Sequence, residues 1–442
     1  MTDRNVAVPS IRGRSPGRPP RWIRWLAASV AVVALAGCSS STGTTDSEPT
    51  RTSPEPRSSD ASSSSPASVA EPPAEPPTSS DATSTEPGAP STTSSGKRRT
   101  ITMVMNGDML LHEGLWATAQ IDAARTGRGA MDFRPLLAHM RPVLKSADLA
   151  ICHLETPLAP RSGPYQGYPL FAAPPQIVPA LDWAGYDACT TASNHSLDQG
   201  YDVLRRTLSV LKSAGIDFAG TAMTQKAAQT PVVLDVAGLK VGLISETYGT
   251  NGIPLPPDQP WSVPIINTDR IERRAAEAKR SGADVVLVAL HWGLEYQHQP
   301  VAEQIEVAER LTESDDIDFI YGHHAHVVQP YDRVNGTWVV YGLGNAVAQQ
   351  DTAVEGVYDG NTCRVTFVER PDGTFEVDKL EYIPTMITTF DGVHPMRYLN
   401  VPDALRDGSH ASIRAQLMAT RQRVSEVVNS LGASKRGVVQ GR

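Results

Sequence analysis

The chain has 442 residues, with 40 Lys and Arg against 48 Asp and Glu and a net charge of −8. Its acidic balance leaves no basic stripe in the body of the chain, which argues against nucleic acid as a partner. Its apolar residues are unevenly spread, so one long stretch cannot contribute to a core while the rest can.

Residues 1–24 carry six Arg and one acid, and residues 25–37 are apolar, rich in Ala, Val and Leu. A basic region, a short apolar run and small residues before a cut describe a secretory signal. The run is too short for a comfortable membrane-spanning helix. Leu35-Ala36-Gly37-Cys38 resembles a bacterial lipobox. By that resemblance Cys38 becomes a lipidated first residue, anchoring the protein on the extracytoplasmic face of the bacterial cell membrane. The plainer reading is an uncleaved anchor with an incidental Cys. Loss of residues 1–37 removes six Arg and one Asp, moving the net charge from −8 to −13.

Residues 39–96 contain no aromatic, Leu, Ile or Met and a single Val. Together with Cys38 they read as a disordered Ser/Thr/Pro linker over residues 38–96. Beyond Cys38 stand Cys152, Cys189 and Cys363, an odd count that defines no disulfide framework. Cys152 and Cys189 fall in predicted strands, as small buried hydrophobes; one pair could form outside the cell, but spacing does not choose it.

The main domain is expected over residues 97–400. Residues 100–105 alternate and are partly β-branched, which predicts the first strand. Residues 148–152, 187–192, 284–290, 317–321 and 338–341 are short apolar runs that read as buried strands. Residues 232–236 and 240–245 predict one hairpin, and residues 363–369 and 375–383 another. Apolar residues at 3–4 spacing predict helices over 134–145, 175–184, 201–214, 269–281 and 301–314. Strands alternating with helices give an α/β class. The Pro-rich residues 253–264 read as a long loop. Residues 401–442 read as a C-terminal helix, striped by Ile413, Leu417, Val424, Val427 and Leu431, and a loose tail from Ala433.

Five stretches then concentrate metal-binding side chains directly after predicted strands: Asn106-Gly107-Asp108, His153-Leu154-Glu155, Ser193-Asn194-His195, His291-Trp292-Gly293 and Gly322-His323-His324-Ala325-His326. Strand ends are where side chains from distant segments converge in an α/β sheet. Singly each is weak: Gly-Asp after a strand is common, Asn194-His195 could cap a helix, and His291 could be a core histidine. His324 and His326 are the strongest pair, since on an extended segment alternate side chains face one centre. Oxygen and imidazole donors in this number can hold two divalent cations.

In this order the strings Gly107-Asp108, Leu154-Glu155, Ser193-Asn194-His195-Ser196-Leu197-Asp198-Gln199-Gly200, His291-Trp292-Gly293-Leu294-Glu295-Tyr296, Gly322-His323-His324-Ala325-His326 and Tyr341-Gly342-Leu343-Gly344-Asn345 resemble the calcineurin-like metallophosphatase superfamily. Within it they resemble the CapA branch, named for poly-γ-glutamate capsule synthesis. The resemblance covers roughly residues 100–348. It implies a double β-sheet sandwich flanked by helices, four layers α/β/β/α. It implies Asp108, Glu155, Asn194, His291, His324 and His326 as ligands of two divalent transition metals (Mn, Fe or Zn), with Glu155 bridging. His195 is then the general acid. His153, Asp198, Asn345 and His323 support these groups without holding a metal, although His153 could be an extra ligand. Asp198 reads as a helix-terminus carboxylate that could orient His195. Glu295 and Tyr296 either line the cleft or sit on a solvated turn.

Three departures from the resemblance stand out. Asp108 is followed by Met109-Leu110, and the nearest His is His112. His153 stands where the branch has Asn. No Arg follows Glu155 to hold a phosphate. The resemblance implies a surface-anchored, metal-dependent hydrolase or transferase of envelope-polymer metabolism. It equally admits a non-catalytic assembly or export factor for an anionic polymer, or a metal-dependent peptide epimerase. Membrane, polymer and synthesis complex are the expected partners.

Overall fold

The computed structural model describes residues 98–442. The signal, Cys38 and the linker read above lie outside the described residues. Among the described residues, no helix is long and apolar enough to cross a membrane.

The first strands are β1 (Thr100–Met109), β2 (Leu149–Leu154), β3 (Ala188–Thr190), β4 (Asp217–Ala219), β5 (Val233–Val236), β6 (Leu239–Thr247), β7 (Val285–His291) and β8 (Phe319–His323). Then come β9 (Tyr331–Val334), β10 (Thr337–Val340), β11 (Asn345–Val347), β12 (Asp359–Glu369), β13 (Phe375–Ile387), β14 (Tyr398–Asn400) and β15 (Val439–Gln440). They form two sheets. One runs β14-β13-β12-β1-β2-β3-β4, with β11 beside β1 and β15 beside β13; the other runs β5-β6-β7-β8-β10-β9. The pairs β1–β2–β3–β4 and β6–β7–β8–β10 are parallel. Both expected hairpins form, as β5–β6 and β12–β13.

Alternation along the strands sorts the core into layers. Ile101, Met103, Met105, Leu149, Ile151, Leu287, Phe319 and Tyr321 pack between the sheets. Val104, Ala150 and Cys152 face the other way, against Leu136, Leu181 and Leu208 of helices on the outer side. Val286 and Val288 meet Ile271, Ala275 and Ala308 of helices Thr268–Arg280 and Ala302–Leu311. The result is the expected helix–sheet–sheet–helix sandwich.

Several elements differ from expectation. The helix predicted over 134–145 is two short turns, Arg134–Leu137 and Arg141–Lys145, because Pro142 opens the second. A helix over Glu113–Thr126 was not predicted; its buried face is Gly114, Leu115, Thr118, Ala119, Asp122 and Ala123, too small and polar to show an apolar stripe. The tail is not loose: β15 pairs with β13, Glu381 opposite Val439, and Ala433 and Val438 are buried in the core between the sheets. Two apolar contacts spaced along so short a segment leave no helical or strand period to read. Cys152 and Cys189 occupy registered positions on β2 and β3 and form a disulfide; Cys363 is free and buried.

Candidate metal centre

The same alternation that builds the core delivers three imidazoles to its end. His153 follows Leu149 and Ile151 on the inner face of β2, His291 follows Leu287 and Ala289 on β7, and His323 follows Phe319 and Tyr321 on β8. All three are buried. His153 stacks on His323 with ring centroids 3.9 Å apart. Its Nε2 lies 3.0 Å from His291 Nδ1 and its Nδ1 2.9 Å from Thr190 Oγ1.

Asp108 reaches the same point through an irregularity in β1, where register with β2 shifts between Met105 and Asp108. Gly107 permits it: a Cβ there would stand 2.0 Å from the Gly344 carbonyl oxygen. Asp108 accepts from His323 Nδ1 at 2.7 Å and from the His324 backbone N–H at 3.0 Å, with His326 Nδ1 at 3.3 Å. Burial opposes its charge, but the bonds from His323 and His326 outweigh that and hold its carboxyl well below the usual range.

His324 and His326 arrive by a route other than the one expected. β8 ends at His323, and both residues have positive φ, 87° and 55°. A left-handed turn, not the extended segment that the His-x-His spacing implied, aims them. His326 Nδ1 donates to Asn345 Oδ1 at 3.0 Å, while Asn345 Nδ2 donates to the Val357 carbonyl at 2.8 Å. His326 Nε2 then faces Glu155 Oε1 at 3.8 Å. His291 Nε2 lies 2.8 Å from Asn194 Oδ1 and 3.9 Å from Glu155 Oε1.

Glu155 therefore sits between His291 with Asn194 on one side and His326 with Asp108 on the other. It is 1% exposed, and neither carboxylate oxygen has a hydrogen-bond partner. Burial pushes its carboxyl well above the usual range, against the pull of His326. A buried carboxylate without a partner is costly, and a cation in the adjoining space removes that cost. His324 Nδ1 is also buried and unpartnered. Burial and His326 hold the His324 imidazole down to about 3, and burial with neighbouring imidazoles holds His153 and His291 well below the usual value. These rings are neutral and carry a lone pair, as metal ligation requires.

Three sets have ligand atoms within 4.8 Å of one another: Asp108, Glu155 and His326; Asp108, His153 and His291; and Glu295, His324 and His326. This donor set suits a divalent metal. The exposed Glu295 thus belongs beside His324 and His326, a role that the string His291-Trp292-Gly293-Leu294-Glu295 left open between cleft and solvated turn. Tyr248, not singled out from sequence, packs 4.5 Å from the His324 ring. His112 stays outside all three sets, with its Nδ1 3.0 Å from the Leu110 carbonyl.

His195 also stays outside them. Its Nδ1 lies 2.7 Å from Asp198 Oδ2, which accepts in addition from the Phe171 N–H at 2.7 Å. The ring meets Phe171 edge-on at 4.8 Å. With Nδ1 engaged, Nε2 is the nitrogen left for a ligand.

Two sheets packed between helices bring carboxylates and imidazoles together at the C-terminal ends of parallel strands, where sites in α/β sheets form. Residues 102–350, more than half of the chain, match the family model for bacterial capsule synthesis protein PGA_cap, and the chain belongs to that family. It is 28% identical over 258 residues to the capsule biosynthesis protein CapA of Bacillus anthracis, covering 57% of this chain and 60% of that one. It is 28% identical over 184 residues to a "Probable polyglutamine synthesis accessory protein" of Mycobacterium tuberculosis, covering 39% of this chain and 48% of that one. The chain thus spans between about half and three fifths of the length of these curated relatives. Among solved structures, a calcineurin-like phosphoesterase from Bacillus subtilis covers 74% of this chain and all of its own, at 17% identity and a TM-score of 0.38. At that distance the fold class rests on the two sheets themselves.

Proposed function

We propose that this protein is a surface-anchored, metal-dependent hydrolase or transferase of capsule or cell-envelope polymer synthesis, acting on a phosphoester or an amide. The observation that carries the reading is Glu155, a buried carboxylate whose two oxygens lack partners between two groups of nitrogen and oxygen donors. Asp108, Glu155 and His326 would hold one divalent metal, and Glu155, Asn194, His291 and His324 a second. Two such ions would acidify water and polarise a phosphoryl or carbonyl oxygen.

The remaining chemistry belongs to the chain. His195, oriented by Asp198, would give a proton from Nε2 to a departing oxygen or nitrogen. His153 and Asn345 fix the rings of His291 and His326 so that each presents Nε2. Metal analysis of the purified protein, followed by phosphoesters, γ-glutamyl peptides and peptidoglycan fragments as substrates, tests the reading. Fewer than one transition metal per chain at micromolar metal would overturn it.

A second reading is a non-catalytic accessory or assembly factor in a synthesis complex. It is favoured by the name of the mycobacterial relative and by the lack of an Arg after Glu155. It predicts metal binding without turnover on the whole panel. Anchoring through Cys38 is part of the proposal under either reading. Cys38→Ala should abolish lipid labelling and release or leave unprocessed the product; unchanged membrane fractionation and labelling would refute it.

A further inference from the structure

Large apolar side chains are rarely left in water together without a partner. Among the described residues, five of the nine exposed ones cluster by sequence and contact at the mouth of this centre: Tyr168 (75% exposed), Leu170, Tyr248, Leu294 and Tyr296. Tyr248 packs on His324, and Tyr296 lies 6.3 Å from His326. Tyr168 lies 6.4 Å from Phe171, which in turn meets His195. The three tyrosines stand around the site on three separate loops.

The charge of the same loops is one-sided. Residues 162–204, 241–269, 281–309 and 311–332 contain no Lys or Arg. These segments supply Asn194, His195, Tyr168, Tyr248, His291, Tyr296, His324 and His326. Arg161, next to the first of them, lines a separate surface cavity with Val178 and Asp182. Glu295 adds an exposed carboxylate to the mouth. A γ-glutamyl polymer carries one carboxylate per residue, and these four segments offer it no guanidinium or ammonium group. Tyrosine offers a rigid flat face with a hydroxyl at its edge, at low cost in ordering. That combination suits rings that are apolar on their faces and hydroxylated at their rims.

We infer that Tyr168, Tyr248 and Tyr296 form a binding rim for a neutral glycan strand, whose reacting group alone is delivered to the metal centre. The delivery rests on the proposed function; the rim does not. It makes the glycan, and not a polyanion, the chain that is gripped beside the site.

The test is calorimetric titration of the purified full chain, as isolated and after metal stripping, with tetra-N-acetylchitotetraose and with a γ-glutamate tetramer. The neutral tetramer should bind in both states and more tightly than the γ-glutamate tetramer. Tyr168→Ala and Tyr296→Ala should each weaken it about 3- to 10-fold, with circular dichroism and metal content unchanged. Tyr168 is 75% exposed, so its loss removes little from the core, and circular dichroism checks that the fold is kept. The inference is overturned if the neutral tetramer fails to bind, if both variants bind it as wild type does, or if the γ-glutamate tetramer binds more tightly through the same tyrosines. A protein that holds no metal yet binds the glycan through the rim refutes the metal centre alone.

Discussion

His153 Nε2 lies 3.0 Å from His291 Nδ1, at the buried ends of two strands that belong to different sheets. The bond locks the His291 ring so that Nε2 faces Asn194 and Glu155. It also explains how His can occupy a position where the resembling branch has Asn, since either side chain can bond to Nδ1. Loss of such a support typically costs ~10- to 100-fold in metal affinity. His153→Ala should therefore weaken metal binding by about that factor, and His153→Asn should restore most of it. Competitive titration with a chromophoric chelator reads both. If His153→Ala instead loses one metal outright, His153 is a ligand.

The second prediction separates His195 from the metal donors. It lies in none of the three ligand sets and is tied to Asp198. His195→Ala should keep wild-type metal content and lose about 10²- to 10⁴-fold in turnover on whichever substrate is found. Glu155→Ala and His324→Ala should lose metal. Loss of metal from His195→Ala equal to theirs would make His195 a ligand.

The strands, and the convergence of the candidate donors at their ends, were legible because they rest on period-2 alternation and on residues next to strand ends. Leu149, Ile151 and His153 share one face, so a reader of the strand also reads where its histidine goes. The helix over Glu113–Thr126 was not legible because its buried face is Gly, Thr, Asp and Ala as much as Leu. The turn that aims His324 and His326 was not legible either, because neither residue type signals positive φ. Gly322 is the nearest clue: a Cβ there would stand 1.9 Å from the Tyr341 carbonyl oxygen, so two segments of the chain approach closely just before the turn. Glu295 and Tyr248 come to the centre from loops, where no period places a side chain.

Proton competition gives a third prediction. Burial opposes charge on His326, but Glu155 and Asp108 outweigh it and hold the imidazole up to about 9 in the metal-free protein. The sign for stability follows: this charged His stabilises the metal-free fold fully below its unfolded value of about 6.5, and that contribution is lost as pH rises through about 9. Metal affinity runs the other way, since the ion must displace the proton. It should rise with pH by up to about tenfold per unit between about pH 7 and about pH 9, with proton release on binding. Calorimetry in two buffers of different ionisation enthalpy measures the release. An affinity that is flat over that range would remove His326 from the ligands.

The last prediction concerns the tail. Residues 438–442 resemble a disposable end, yet Val438 is 2% exposed in the core between the sheets. Val439 and Gln440 pair with Glu381 and Tyr382 on β13, and the Gly441 N–H donates to the Tyr382 carbonyl at 2.9 Å. Full burial of a valine contributes about 1.5–3 kcal/mol, and β13 is left with an unpaired edge when the tail goes. Truncation after Gly437 should therefore cost about 2 kcal/mol, read as a fall in urea midpoint at unchanged slope. Val438→Ala should show roughly half of that loss, because it removes the side chain and keeps the strand. None of the candidate metal donors lies on β13 or on the tail, so metal content should stay at the wild-type level in both. An unchanged midpoint after truncation would mean that the tail does not hold its place on β13 in solution.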